Sequence, residues 1–266
     1  MNKYLENIKN FLLLAAPIAA SSVLLSSPSF AATFAFSQGE VLFPEFSQSP
    51  SNVKVRAEAD AQTIGEGGIV GAIAEAEAIF LIEPAVAFNS SLSAAFGESQ
   101  DYLGVAESKA SVIGNFDIEA NTNFSFDFIS NLELATSIDN PPKESARASG
   151  DISFALVDIE SNDVLDYFNL LGNIVTEGDD DFVALQKSDN VILGEPFGAR
   201  VSGDLEEIIA VSIEGSLERF FVDETTVALV EVKRNRAEVK VPEPSATVAL
   251  LLASGVFSVV LKRRRK

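Results

Sequence analysis

The chain has 266 residues, 39 of them acidic against 19 basic, for a formal net charge of −20 near neutral pH. It contains neither cysteine nor histidine. That excludes a disulfide framework, a Ser-His-Asp triad, a Cys-His pair and an imidazole-liganded zinc site. An acidic field of this size repels nucleic-acid phosphates, so no nucleic acid is expected as a partner, and it attracts cations and basic surfaces.

The first segment reads as a secretory signal. Lys3 and Lys9 lie ahead of a largely apolar run from Phe11 to Leu25, and Ser29-Phe30-Ala31 places small residues where a signal peptidase reads them. Residues 1–31 are therefore expected to be a signal peptide cleaved after Ala31, leaving 32–240 as an exported acidic domain. That length suffices for one domain with a sizeable core, and its 17 of the chain's 20 phenylalanines are the obvious material.

Thr33 to Phe46, with Phe34, Phe36, Phe43 and Phe46 around Gly39 and Pro44, predicts a first strand or edge segment followed by a turn. Ser47 to Asn52 is a loop by composition. Val53, Val55, Ala57, Ala59 and Ala61 alternate with Lys54, Arg56, Glu58 and Asp60, the pattern of a half-buried strand. From Gly68 to Ile82 the Ala and Glu content favours helix. The shared parity of Val70, Ala72, Ala74, Ala76, Ala78, Phe80 and Ile82 favours strand, and the pattern decides for strand. Glu83-Pro84 breaks it, and Phe88, Leu92, Ala94 and Phe96 resume the alternation.

Phe124, Phe126 and Phe128 fall on one face of a strand within 115–136. Pro141-Pro142 and the residues to Gly150 form the best internal linker, and Ile152, Phe154 and Leu156 begin another strand. Val164, Phe168 and Leu171 have helical spacing behind the capping candidates Ser161, Asn162 and Asp163, which predicts one helix. Odd positions from Leu205 to Leu217, interrupted by Glu207, and the β-branched stretch Thr226–Val232 give the last strands. Lys233 to Lys240 reads as a polar tether. The expected fold is all-β: an antiparallel β-sandwich or jelly-roll-like domain with at most one or two short helices. An elongated stack of β repeats is the competing architecture.

Chemistry-bearing motifs are few. Gly65-Glu66-Gly67-Gly68 lacks the Lys and Ser/Thr of a phosphate loop and reads as a turn. Paired carboxylates are the one acid/base device this composition permits, and no spacing singles out a pair, so a non-enzymatic role is expected. Without tryptophan, phenylalanine, Tyr102 or Tyr167 would have to serve as sugar-stacking platforms. Glu177, Asp179, Asp180 and Asp181 flank Gly178 in a turn that could gather hard oxygens, making Ca2+ the one candidate ion and no other cofactor expected.

The C-terminal end has three consecutive parts: Pro242-Glu243-Pro244, an uncharged apolar run over 245–261, and the cluster Lys262, Arg263, Arg264, Arg265 and Lys266. As a helix the run would extend roughly 25 Å at ~1.5 Å per residue, near the ~30 Å hydrocarbon thickness, which predicts a transmembrane span. The basic cluster would then face the cytoplasm. In this order the three parts resemble the sorting signal of the PEP-CTERM family of exported bacterial proteins, over about a tenth of the chain. The resemblance implies recognition by an exosortase at the Pro-Glu-Pro motif, transient membrane association, and a final place at the cell surface, the outer membrane or the medium. It implies nothing about the activity of 32–240. The expected function is a cell-surface or extracellular-matrix structural or interaction protein. The alternative is a polysaccharide- or calcium-binding module.

Overall fold

The structure, a computed structural model, describes residues 33–65, 68–99, 101–176, 178 and 180–241. Ala31, the motif Pro242–Pro244 and the cluster Lys262–Lys266 lie outside them. Among the described residues no helix is long and apolar enough to cross a membrane. This corrects the expected transmembrane helix: none is present in the described structure, and the run 245–261 to which it was assigned lies outside the described residues.

The described residues form strands β1 (Thr33–Phe46), β2 (Asn52–Gly65), β3 (Ile69–Leu81), β4 (Val86–Glu98), β5 (Tyr102–Ile118), β6 (Thr122–Ser137) and β7 (Ser145–Asp158). They are followed by β8 (Val164–Thr176), β9 (Phe182–Lys187), β10 (Val191–Leu193), β11 (Phe197–Ser202), β12 (Glu206–Phe221) and β13 (Thr225–Val241). One sheet, here sheet A, has the order β10-β12-β6-β1-β4-β3, with β11 also pairing β12; sheet B has the order β2-β5-β13-β7-β8-β9. Every pairing is antiparallel. The two sheets pack face to face as a β-sandwich, as the alternation predicts.

Alternation explains the packing. Phe124, Phe126 and Phe128 are all buried, on the inward parity of β6. They meet Phe43 and Phe46 of β1, Phe116 of β5, Phe154 of β7 and Phe168 of β8 in one cluster. Phe154 stacks on Phe168 with ring centroids 5.3 Å apart, and Phe128 meets Phe154 edge-on at 4.9 Å. Burying each such side chain stabilises the fold by about 1.5–3 kcal/mol, enough for a core without disulfides. A smaller cluster around Ala35, Tyr102, Ile138 and Val239 fills the other end. Between the clusters runs a polar seam: Ser37 Oγ donates to Asn235 Oδ1 at 2.8 Å, and Asn235 Nδ2 donates to the Ser91 carbonyl at 2.8 Å.

Five expectations change. Val164–Leu171 is strand, not helix: β8 pairs β7 with Phe154 opposite Phe168, and Leu171 falls on the face opposite Phe168. Ladder hydrogen bonds and burial of Phe168 outweigh a helical spacing with only three matches. The residues ahead of it form a hairpin turn instead of a cap, with Asp158 Oδ1 accepting from the main-chain nitrogens of Glu160 and Ser161 at 2.8 and 3.0 Å. Lys233–Lys240 is no tether. It continues β13 through the middle of sheet B, between β5 and β7.

The first strand is not an edge: β1 lies between β4 and β6 and passes Pro44 at a register irregularity between Leu42 and Glu45. Finally, β2 is a strand with the expected parity but is exposed almost throughout, because it is the edge of sheet B and its alanines are short. Of the stretch 141–150, read as a linker, residues 141–144 belong to a tight connection from β6 to β7 and Ser145–Gly150 already forms the start of β7. Glu144 Oε2 folds back to accept from the main-chain nitrogens of Asp139 and Asn140 at 2.9 and 3.0 Å.

Candidate functional site

Strand parity that buries one set of side chains in the sandwich places the other set on the outer face of sheet B. There a cleft of about 1350 Å³ is lined by residues from β2, β5, β13, β7, β8 and β9. Six strands at ~4.8 Å spacing make its floor roughly 24 Å wide across the strand direction. Two rows of side chains cross it. In one, Glu58 stands opposite Lys109, Lys109 opposite Arg234, and Arg234 opposite Asp151. In the next, Asp60, Glu107, Arg236, Ser149, Asn173 and Phe182 follow one another across the sheet.

Some of these charges are already matched. Arg236 Nη1 pairs with Glu107 Oε1, and Arg236 Nη2 lies 2.8 Å from Glu238 Oε2. The Glu238 hydrogen bond, helped by both carboxylate charges, holds that guanidinium above its usual range. Arg147 Nε donates to Asn173 Oδ1 at 3.1 Å, and Asn173 Nδ2 donates to the Asp180 carbonyl at 2.9 Å. Desolvation pushes the Asp151 carboxyl up, against the pull of the Arg234 charge. Lys109 and Arg234 are the cations left over. Neither enters an ion pair among the described residues, and they sit directly opposite each other, with Glu58 beyond Lys109 and Asp151 beyond Arg234. Like charges in that relation repel; Glu58 pairs with Arg56 and Asp151 enters no ion pair among the described residues, so an anionic or oxygen-rich group from outside would offset the repulsion.

The acidic turn borders this cleft. Glu177 and Asp179 lie outside the described residues. Asp180 and Asp181 both line the cleft wall. Asp181 Oδ1 accepts from the Val175 main-chain nitrogen at 2.9 Å, and its Oδ2 lies 3.7 Å from Arg200 Nη2. Glu207, the residue that interrupts the apolar parity of β12, faces the same carboxylate. Burial, then hydrogen bonding and charge from Asp181, push its pKa to about 7, with Arg200 pulling the other way. Among the described residues no group of three or more carboxylates is gathered as a metal cage.

Of the two tyrosines considered for sugar stacking, Tyr102 is buried and donates to Thr33 Oγ1 at 2.7 Å, so it offers no platform. Tyr167 is exposed on the outward parity of β8, the same side of sheet B as the cleft. Phe182, about half exposed, lines the cleft itself. The cleft was missed in the sequence because it draws on six strands. The available signal was the outward parity shared by Lys109, Arg147, Arg234 and Arg236, a third of the basic residues within 32–240.

A second, smaller cavity of about 380 Å³ lies on the outer face of sheet A beneath β11, with Glu40 and Glu133 beside Leu42, Phe88 and Phe197. Burial raises both carboxyls, and the Glu40 charge adds to the shift of Glu133. The chain matches no protein-family model, no curated protein and no solved structure.

Proposed function

We propose that the protein is an exported interaction protein of the cell surface or extracellular matrix that holds an acidic polysaccharide across the outer face of sheet B. The observation that carries this reading is the pair Lys109 and Arg234, neither in an ion pair among the described residues, side by side on the floor of a long cleft in a protein whose net charge is otherwise strongly negative. A sugar carboxylate set against Lys109 and Arg234 supplies their counter-charge, the polymer's hydroxyls suit Ser149, Asn173 and the carboxylates that also line the cleft, and Phe182 gives one apolar stacking edge. A cleft open along its length suits a polymer better than a small molecule. The signal-like segment 1–31 and the Pro-Glu-Pro tail support an extracytoplasmic setting, where such polymers occur.

Titration calorimetry with polygalacturonate oligomers against a neutral glucan of equal length tests the reading. The acidic oligomer should bind, more weakly as salt rises, and Lys109→Ala should weaken it about tenfold, the worth of one charge-assisted hydrogen bond. Equal binding of both glycans, or an affinity untouched by Lys109→Ala, rejects it.

A second reading is favoured by strand β3. It is the edge of sheet A and exposes Ile69, Ile73, Ile79 and Leu81 on its outward parity. An apolar, unpaired edge is a surface on which copies of the chain could assemble. Concentration-dependent association that needs no glycan and is abolished by Ile73→Lys would favour assembly as the primary role.

A further inference from the structure

The most unusual chemistry in the molecule lies inside the sandwich. Lys233 and Glu231 of β13, both on its inward parity, and Asn89 of β4 have no solvent exposure. Asn89 Nδ2 donates to Glu231 Oε2. Lys233 Nζ donates to the Asn89 main-chain carbonyl and lies 3.1 Å from Asn89 Oδ1. Glu231 Oε1 lies 3.6 Å from Nζ and accepts no hydrogen bond. Around them, register places Val41 and Ala78 beside Asn89, Val112 and Phe154 beside Glu231, and Ala110 and Ile152 beside Lys233. An amine, a carboxamide and a carboxyl group are thus in mutual contact in a dry core.

We propose that Lys233 and Asn89 condense, without any cofactor or second protein, into an isopeptide cross-link that joins sheet B to sheet A, with Glu231 as the proton carrier. Lys233 Nζ, as the neutral amine, attacks Asn89 Cγ, one covalent bond from the Oδ1 it already faces. The new bond is Nζ–Cγ. The bond that breaks is Cγ–Nδ2. Glu231, in its acid form, gives its proton to Nδ2, which it already contacts, and its free Oε1 takes the proton released by Nζ. One molecule of ammonia leaves, Glu231 is regenerated, and no oxidant or reductant is consumed.

The surroundings bring the required protonation states within reach. Burial, opposed by the Glu231 and Glu40 charges, lowers Lys233 to about 8. Burial, opposed by the Lys233 charge and the Asn89 hydrogen bond, raises Glu231 to about 7. The ion pair and its neutral tautomer carry the same number of protons, and burial brings the two pKa values close enough together for the neutral amine and the carboxylic acid to be populated as a minor, reactive form. The product also removes a cost, since an amide replaces a buried ammonium. In a chain without cysteine, this link would close a loop between positions 144 apart and would be insensitive to redox conditions.

Tryptic mapping of the folded protein, digested after denaturation, tests this directly. Cleavage at Arg56, Lys109, Arg219 and Arg234 brackets the two partners. The expected product is peptide 57–109 joined to 220–234, at the summed mass less one ammonia, with cleavage after Lys233 blocked. In Glu231→Gln the two peptides should separate, and a free 220–233 should appear. A free 220–233 as the main species from the unmodified protein overturns the proposal and leaves a buried ion pair. A cross-link undiminished in Glu231→Gln overturns the role given to Glu231.

Discussion

Gly39 of β1 lies directly against the aliphatic stem of Lys233: a Cβ at position 39 would stand 3.0 Å from Lys233 Cδ and 3.1 Å from Asn235 Nδ2. The absent side chain is what lets a lysine cross the gap between two sheets. Gly39→Val should therefore overpack the seam and destabilise the protein by about 1–3 kcal/mol. Urea unfolding measures this as a lower midpoint at unchanged slope. A midpoint within error of the parent would mean the seam can widen freely.

Phe126 is in ring contact with Phe43 and Phe154, with both centroid distances 5.5 Å, and with Phe46 and Phe124 at 5.6 and 5.9 Å. Truncating it empties the centre of the aromatic cluster. Phe126→Ala should cost about 3–5 kcal/mol by the same unfolding measurement. A loss under about 1 kcal/mol would show that the cluster collapses into the space.

Glu207 makes stability depend on pH in a defined direction. Its folded pKa of about 7 exceeds its ordinary value, so the folded state holds the proton more tightly than the unfolded chain. The stability this gives is complete below about pH 4.5 and is lost as pH rises through 7. Asp181 and Arg200 are the charged groups that face it. Replacing it with Gln, which is always uncharged, should remove about 1–2 kcal/mol of that decline between pH 5 and 8, after allowance for solvent screening. Parallel pH–stability curves for the two proteins would contradict this origin.

The tail offers a prediction about processing. If the Pro-Glu-Pro sequence is read as a sorting motif, protein recovered from its native host should end near Pro244 and lack Lys262 to Lys266. Pro242 and Pro244, on either side of Glu243, would restrict the motif's backbone to the extended form a protease cleft requires. Mass spectrometry of the mature C-terminus checks it, and an intact basic end on most of the exported protein would argue against such processing.

Alternation along single strands was legible without coordinates. Val70 through Phe80 share the parity that faces inward, and Phe124, Phe126 and Phe128 are buried together, because a strand assigns faces by a local period of two. Parity does not report depth or partner. The alanines of β2 have the pattern of a half-buried strand, yet lie exposed at a sheet edge, and the helical spacing of Val164, Phe168 and Leu171 yielded to pairing with β7. Lys233, read as the start of a polar tether, and Glu231, within the last predicted strand, show no link to Asn89 about 140 residues earlier until β13 is placed at the centre of sheet B. The cleft likewise exists only once six strands lie side by side. Both sites depend on contacts between distant segments, and those are set by which sheet edges and faces bury the most apolar surface, a global competition that no local period encodes.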